Sequence, residues 1–336
     1  MSDKDSSFRI PRDRLPESPE LQHGLLRDYF CDKDARCQIV GDSWDISLYW
    51  PDDPERHVDP RLTEGLRWWE AGLRLEEMGT SQRRDGHVLR SLYDTWTLLS
   101  WSEWLQRNGE RAKEGLVVLH VDDHRDLGRP RLFARGSRLY DPITGFEVDF
   151  GKPETIDHAI RSGAIGMGSF FTVFLHAMPN VDVRHLCQPP KALGTKDFEI
   201  QRTFVPDTLI DPSEVCPAIQ LVPLEGKTLK RSYRLTSSLD EWLDGLERRP
   251  ILVHIDLDYF NNRYDGDSDW CQRATRLDPP ASDVCRHIDE IGERLQDSRI
   301  EESIADVVVS FSPGFFPAEF WEMADERLSR YLEASL

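Results

Sequence analysis

The sequence predicts an α/β protein with a central, mostly parallel sheet between two helical layers. Three observations carry this. Short, wholly apolar runs at residues 116–119 and 251–253 read as strands buried on both faces, as in parallel sheets. Helical periodicities alternate with such runs through the second half of the chain. Each of the two runs leads into a group of acidic residues, and open α/β sheets bind their ligands at strand ends. A chain of 336 residues can bury a substantial core.

The elements follow in order. Residues 1–20 are charged and proline-containing and read as a flexible N-terminal tail. Residues 21–80 read as an N-terminal extension packed on the core, with short strands at 37–40 and 46–50. A helix over 61–78 buries Leu62, Leu66, Trp69 and Leu73, and Gly79 stops it. Residues 81–336 form the main domain. It opens with a helix over 88–105, rich in Leu and Trp, whose aromatic residues pack in the core. After the first strand the chain is polar and loop-like as far as Asp149. Helices then fall at 155–162 and from 166–169 to Met178, and a strand at 181–186. Residues 188–230 are Pro-rich and irregular, with short strands. A helix at 239–247 leads to the strand before Asp256. A helix at 284–295, a strand at 306–311 and an amphipathic helix at 317–332 complete the chain.

Charge bounds the partners. Lys and Arg number 42 against 61 Asp and Glu, a net charge of −19. Nucleic acid is excluded, because phosphate binding needs a basic face; a cationic substrate is compatible. No run approaches the roughly 18 apolar residues that span a bilayer, and the N-terminus has no signal-peptide core. The expected location is the cytoplasm, with Cys31, Cys37, Cys187, Cys216, Cys271 and Cys285 as reduced thiols.

Two motifs carry the chemistry. Asp122, His124 and Asp126 alternate, so an extended segment would project all three to one side. Asp256 and Asp258 repeat the spacing after the second run. Two like charges this close repel unless a cation or a donor network compensates. Five oxygen and nitrogen ligands from two strand ends suit one or two divalent ions. A polar loop with capping Asp residues also explains the first motif, but leaves the second pair unaccounted for. His120 and His254 each precede a motif by two residues; both read as donors that fix a metal-bound carboxylate, or as buried histidines without metal contact. Residues 265–276 mimic an EF-hand loop, but Arg276 stands where the last glutamate belongs, so no calcium site is expected.

These motifs stand with Gly166-Met167-Gly168-Ser169-Phe170, Asp256-Leu257-Asp258-Tyr259-Phe260 and Ser310-Phe311-Ser312-Pro313-Gly314-Phe315. Together they resemble the arginase and histone-deacetylase superfamily, over residues 84–316. The likeness is to a divergent branch that includes the peptide arginases of ribosomal peptide natural-product pathways. The resemblance implies a three-layer arginase/deacetylase-like fold and a binuclear Mn2+ centre, with a single Zn2+ as the alternative. It implies six metal ligands, His87, Asp122, His124, Asp126, Asp256 and Asp258, the five other than His87 also being the catalytic set. His87 would complete the centre from the turn that opens the 88–105 helix. The implied reaction converts arginine side chains of a precursor peptide to ornithine and releases urea. The alternatives are a metal-dependent amidohydrolase or deacetylase, and a non-catalytic, metal-containing peptide-binding protein. The partner would be an arginine-containing precursor peptide, met in part by the first eighty residues.

Two departures stand out. Arginases place a proton-transferring histidine where residues 166–169 hold none; His176 reads as structural, which leaves His158 and His185 as candidates. They also place a guanidinium-gripping glutamate where residues 312–315 hold none. Asp123, Glu147, Asp149, Asp265, Asp267 and Asp269 are the candidates for that carboxylate.

Overall fold

The structure, a computed structural model, describes residues 6–224 and 232–332. The first five residues of the expected tail and the end of the Pro-rich segment lie outside the described residues.

The expected tail is corrected from residue 6 onward. β1 (Ser6–Pro11) pairs antiparallel with β3 (Ser43–Tyr49), which pairs in turn with β2 (Asp34–Val40). Phe8 and Ile10 alternate with exposed Ser7 and Arg9, giving the strand one apolar face to bury with Trp44, Ile46 and Leu48 of β3. A helix, Pro19–Phe30, follows, capped by the Ser18 hydroxyl with Pro at its first position. It ends at Cys31, whose φ of 46° turns the chain sharply into Asp32. The expected helix over 61–78 is broken into Leu62–Trp69 and Leu75–Met78, because Glu70 is extended and Gly72 takes φ +93°.

The main sheet has nine strands. They are β4 (Gln82–Asp85), β5 (Val88–Ser91), β6 (Leu116–Val121), β10 (Val181–Leu186), β11 (Lys196–Pro206), β12 (Val215–Pro223), β13 (Ser232–Thr236), β14 (Ile251–Asp256) and β15 (Ile304–Ser310). Their order is β12-β11-β13-β10-β6-β14-β15-β5-β4. The six strands from β13 to β5 are parallel, while β4 and the β11–β12 pair add antiparallel edges. The protein is therefore α/β, with a large mixed sheet flanked by helices. Every residue of β6, β10 and β14 is buried, which explains the apolar runs that open β6 and β14, while β10 also buries Asp182, Arg184 and His185.

Three expectations change here. The helix over 88–105 is in fact β5 followed by the helix Trp96–Ala112. Four buried residues pair with β15 before the helix begins, so one apolar stretch serves two elements. The loop before Asp149 carries a small sheet of β7 (Phe133–Arg135), β8 (Arg138–Tyr140) and β9 (Glu147–Val148). The Pro-rich segment forms the two long strands β11 and β12 rather than short ones. Among the described residues, no helix is long and apolar enough to cross a membrane.

Because the central strands are parallel, their C-terminal ends open on one edge. Residues after β5, β6, β14 and β15 meet there.

Candidate metal centre

The ladder sets the geometry. Val121 at the end of β6 lies opposite Ile255 of β14, so Asp122 and Asp256 leave adjacent strands at the same level. Ligand atoms of Asp122, His124 and Asp258 fall within 4.8 Å of one another, and so do those of His120, Asp122, Asp126 and His254. Asp122, Asp126, Asp256 and Asp258 are all buried, at 1%, 7%, 3% and 2% exposure.

Local turns hold these carboxylates. Asp122 Oδ1 accepts the His124 N–H at 2.5 Å, and Asp256 Oδ1 accepts the Asp258 N–H at 3.0 Å. The Ser312 hydroxyl, after β15, donates to Asp256 Oδ2 at 2.5 Å. Asp258 accepts the Asp123 N–H through Oδ1 and faces His124 Nδ1 at 2.8 Å through Oδ2. Among the described residues, Asp122 Oδ2 and Asp126 Oδ2 are buried with no donor, so only a proton shared between the two carboxyls or a cation can meet them. An unpartnered buried carboxylate oxygen is costly, and two together call for a cation.

The electrostatics agree. Burial, then the charges of Asp126, Asp258 and Asp256, push the Asp122 carboxyl well above its ordinary range. Burial, then Asp258, does the same to Asp256. Burial raises Asp126 to about 6. His124 moves the other way from a buried histidine: burial favours its neutral form, but Asp258 and Asp265 outweigh this and raise it to about 11. The two ring nitrogens of His124 thus face Asp258 and Asp265, at 2.8 Å each. These buried His and Asp groups could hold a metal ion.

His87 does not join them. It sits in the turn between β4 and β5, near Leu295, Ile304, Val307 and Tyr331, and its carbonyl accepts the Val307 N–H. Since β5 is a strand, it carries the chain about 13 Å from His87 to the site edge. The residue delivered there is Asp94, which sequence reasoning missed. Asp94 is 4% exposed and accepts the Gly168 N–H at 2.8 Å. Burial, then the Asp126 charge, raises its carboxyl well above the ordinary range. The signal was an acid closing an apolar stretch, as at the other two strand ends, hidden by the helical reading of residues 88–105.

The remaining candidates divide. Asp123 and Asp265 lie at the site, where Lys191 Nζ approaches them at 2.6 Å and 3.5 Å. Lys191 was also missed, lying in an irregular segment. Asp267 sits beside Arg273 and Asp269 is exposed. Glu147, Asp149 and His176 line a separate cavity, and His158 is exposed on its helix. His185, His120 and His254 lie opposite one another on β10, β6 and β14, all buried. Burial lowers His185 and His254 to about 3 and takes His120 well below its usual value. This row of neutral rings underlies the carboxylates.

A cleft of about 740 Å³ opens over the centre, lined by Asp94, His124, Asp126, Asp256, Asp258 and the Ser312–Phe315 turn. Arg27, Asp28, Cys31 and Asp32, with Arg56, His57 and Val58, line it as well. Among the described residues, five non-glycine residues have positive φ: Cys31, Val58, Asp126, Asp265 and Ser312. Four line this cleft and the fifth bonds His124. Such strain persists where surrounding structure enforces it, typically at functional sites.

Comparison of the chain with protein-family models and with curated proteins finds no match.

Proposed function

We propose that the protein is a binuclear manganese hydrolase that cleaves arginine side chains of a peptide to ornithine and urea. The observation that carries the metal is the pair of buried, unpartnered oxygens, Asp122 Oδ2 and Asp126 Oδ2, inside a group of five buried carboxylates. His124, Asp122, Asp126, Asp256 and Asp258 would hold the ions, with Asp94 in place of His87. All are oxygen or imidazole donors, the set that manganese and zinc accept. Bound divalent metal lowers the pKa of a water toward neutrality and so supplies a nucleophile.

The chain's own groups prepare the site. The Ser312 hydroxyl and the Asp258 N–H leave Asp256 one fixed orientation. Asp265 takes the Nε2 side of His124 and so aims Nδ1 at the cluster. The neutral histidine row keeps water from the underside. The cleft is large enough for a side chain presented by a peptide, and the chain's net charge of −19 favours a cationic substrate. The three-layer arginase-like arrangement belongs to the same reading, supported by the parallel central strands and the strand-end site.

One observation favours a second reading, a single-zinc amidohydrolase or deacetylase: residues 312–315 offer no carboxylate for a guanidinium. Manganese-loaded protein, incubated with arginine-containing peptides and with free arginine, separates the two. Urea release and a loss of about 42 Da per modified arginine are expected for the peptides, the mass change of hydrolysing a guanidinium to an amine. Unmodified peptides, with hydrolysis of an acetyl-lysine substrate, would transfer the assignment to the deacetylase reading. Metal binding without turnover of either would leave a binding protein.

A further inference from the structure

We propose that Asp32 and His57, both carried by the N-terminal segment, form the subsite that holds the cationic end of the substrate side chain. This rests on the arginine reading above and names the groups that recognise that arginine.

Asp32 is 3% exposed yet lines the cleft. Both its oxygens take the Met167 N–H, at 3.1 and 2.9 Å, and no ion pair reaches it among the described residues. The next N–H of the same turn, that of Gly168, goes to Asp94. One turn therefore sets a carboxylate of the N-terminal segment beside a carboxylate of the metal centre. After burial and Asp126, the Asp32 charge is a further cause of the raised Asp94 carboxyl. Gly166 makes the room: a Cβ there would meet the Asp32 carboxylate at 3.2 Å.

His57 supplies the second observation. It is 6% exposed and lines the same cleft, and its Nε2 is buried with no hydrogen-bond partner among the described residues. Burial, with Arg56 and Arg27 nearby, keeps the ring neutral, lowering it to about 4. A neutral imidazole accepts an N–H through its lone pair without repelling a cation. The turn after β15 seats it closely: Gly314, at φ +86°, would place a Cβ 2.8 Å from the His57 carbonyl oxygen. A carboxylate and a neutral acceptor lining one cleft suit the planar fork of N–H donors on a guanidinium. Of the arginines of the cleft, Arg27 and Arg125 are exposed at its rim, and Arg56 faces Asp34 at 3.3 Å while its charge also reaches Asp32 and His57.

The test measures equilibrium binding of two capped peptides to manganese-loaded protein. One carries a single arginine, the other citrulline, its uncharged counterpart, at the same place. Asp32→Asn keeps an oxygen for the Met167 N–H, so the turn survives. It is expected to weaken the arginine peptide about 10- to 100-fold, as for loss of a charge-assisted hydrogen bond, and the citrulline peptide little. His57→Ala is expected to weaken the arginine peptide about 3- to 10-fold. Metal content by elemental analysis should stay at the wild-type level in both variants. Arginine-peptide affinity within about twofold of wild type in both variants, with metal content intact, overturns the subsite, as does wild-type protein that binds neither peptide. Equal loss for both peptides also overturns it, because charge would then not be what is recognised. Wild-type binding that responds to Asp32→Asn without any urea release defeats the hydrolysis reading alone and leaves the subsite standing.

Discussion

The strand-end wall of the cleft and its N-terminal wall hold their carboxylates in different ways. On the first, Asp122 and Asp256 leave neighbouring parallel strands whose register is pinned by the buried runs of β6 and β14. On the second, Asp32 follows a helix end and His57 ends a short 3-10 turn. Their positions depend on Cys31 and Val58, both at positive φ, and on the glycines at 166 and 314. Ion binding needs several donors fixed to within fractions of an ångström, and a sheet ladder provides that. Contact with a substrate, on the proposed reading, would be carried by loops docked on that scaffold.

The contrast can be broken most directly on the strand-end wall. His124→Ala or Asp256→Asn should reduce activity below detection and deplete the metal, while circular dichroism stays close to that of the unaltered protein. The residues act at strand ends, outside the apolar core. Full turnover by either variant at saturating manganese would show that the wall does not hold the metal.

A smaller effect separates Asp94 from His87. Asp94→Asn should lower manganese affinity about 10- to 100-fold, the scale of losing a partner at a metal site. His87→Ala, at the other end of β5, should leave metal content and affinity unchanged. Titration calorimetry of both variants checks this, and the reverse ranking would restore His87 to the centre.

The smallest effect concerns pH. Asp94, Asp122 and Asp256 are raised well above their ordinary range and Asp126 to about 6, burial being the first cause in each. A carboxyl raised in the folded state gives stability that is full below its unfolded value near 4 and lost as pH rises through the folded value. His57, His185 and His254 are lowered, so their contribution is present above 6.5 and lost on acidification. Above 6.5 the carboxylates therefore decide the trend, and His124, raised to about 11, adds in the same direction. Melting temperature of the metal-free protein should fall between about pH 7 and about pH 9. Manganese should restore more of it at the higher pH, because deprotonated ligands bind metal better. A melting temperature that rises over this range would show that the carboxylates are not coupled as described.

Legibility in the sequence follows the same division. The runs before Asp122 and Asp256 showed both strands and the ligands beyond them, since burial on both faces leaves three or four consecutive apolar residues at the start of each strand. The helices Pro153–Ser162, Ala281–Leu295 and Trp321–Leu332 were visible from their apolar periodicity. β5 was not: a four-residue strand with only Val88 and Leu89 apolar fits the start of a helix as well, and a true helix follows almost at once. That error cost both Asp94 and the position of His87. β1 was obscured by the charged residues around Phe8 and Ile10, β12 by prolines that an edge strand tolerates, and β11 by the proline that ends it. Asp32 and His57 carry no periodic signal, because tertiary docking alone brings them to the cleft.

The histidine row has one further consequence. His120 Nε2 faces the His124 carbonyl at 3.2 Å, and His185 Nε2 faces that of Asp122 at 2.9 Å. A carbonyl only accepts, so both nitrogens carry a proton. His120 Nδ1 is then a lone pair, and His254 Nδ1, 3.0 Å away, must donate to it. His254 Nε2 accepts from the Ser310 hydroxyl, and His185 Nδ1 accepts from Tyr233. Every tautomer is dictated: one run of donors passes from Ser310 through His254 to His120 and a separate one from Tyr233 to His185, each ending on a backbone carbonyl. An added proton would find each ring lone pair already engaged. The row is a proton-tight floor: negative charge in the cluster above it cannot be relieved from within the sheet, and must be met from the cleft side.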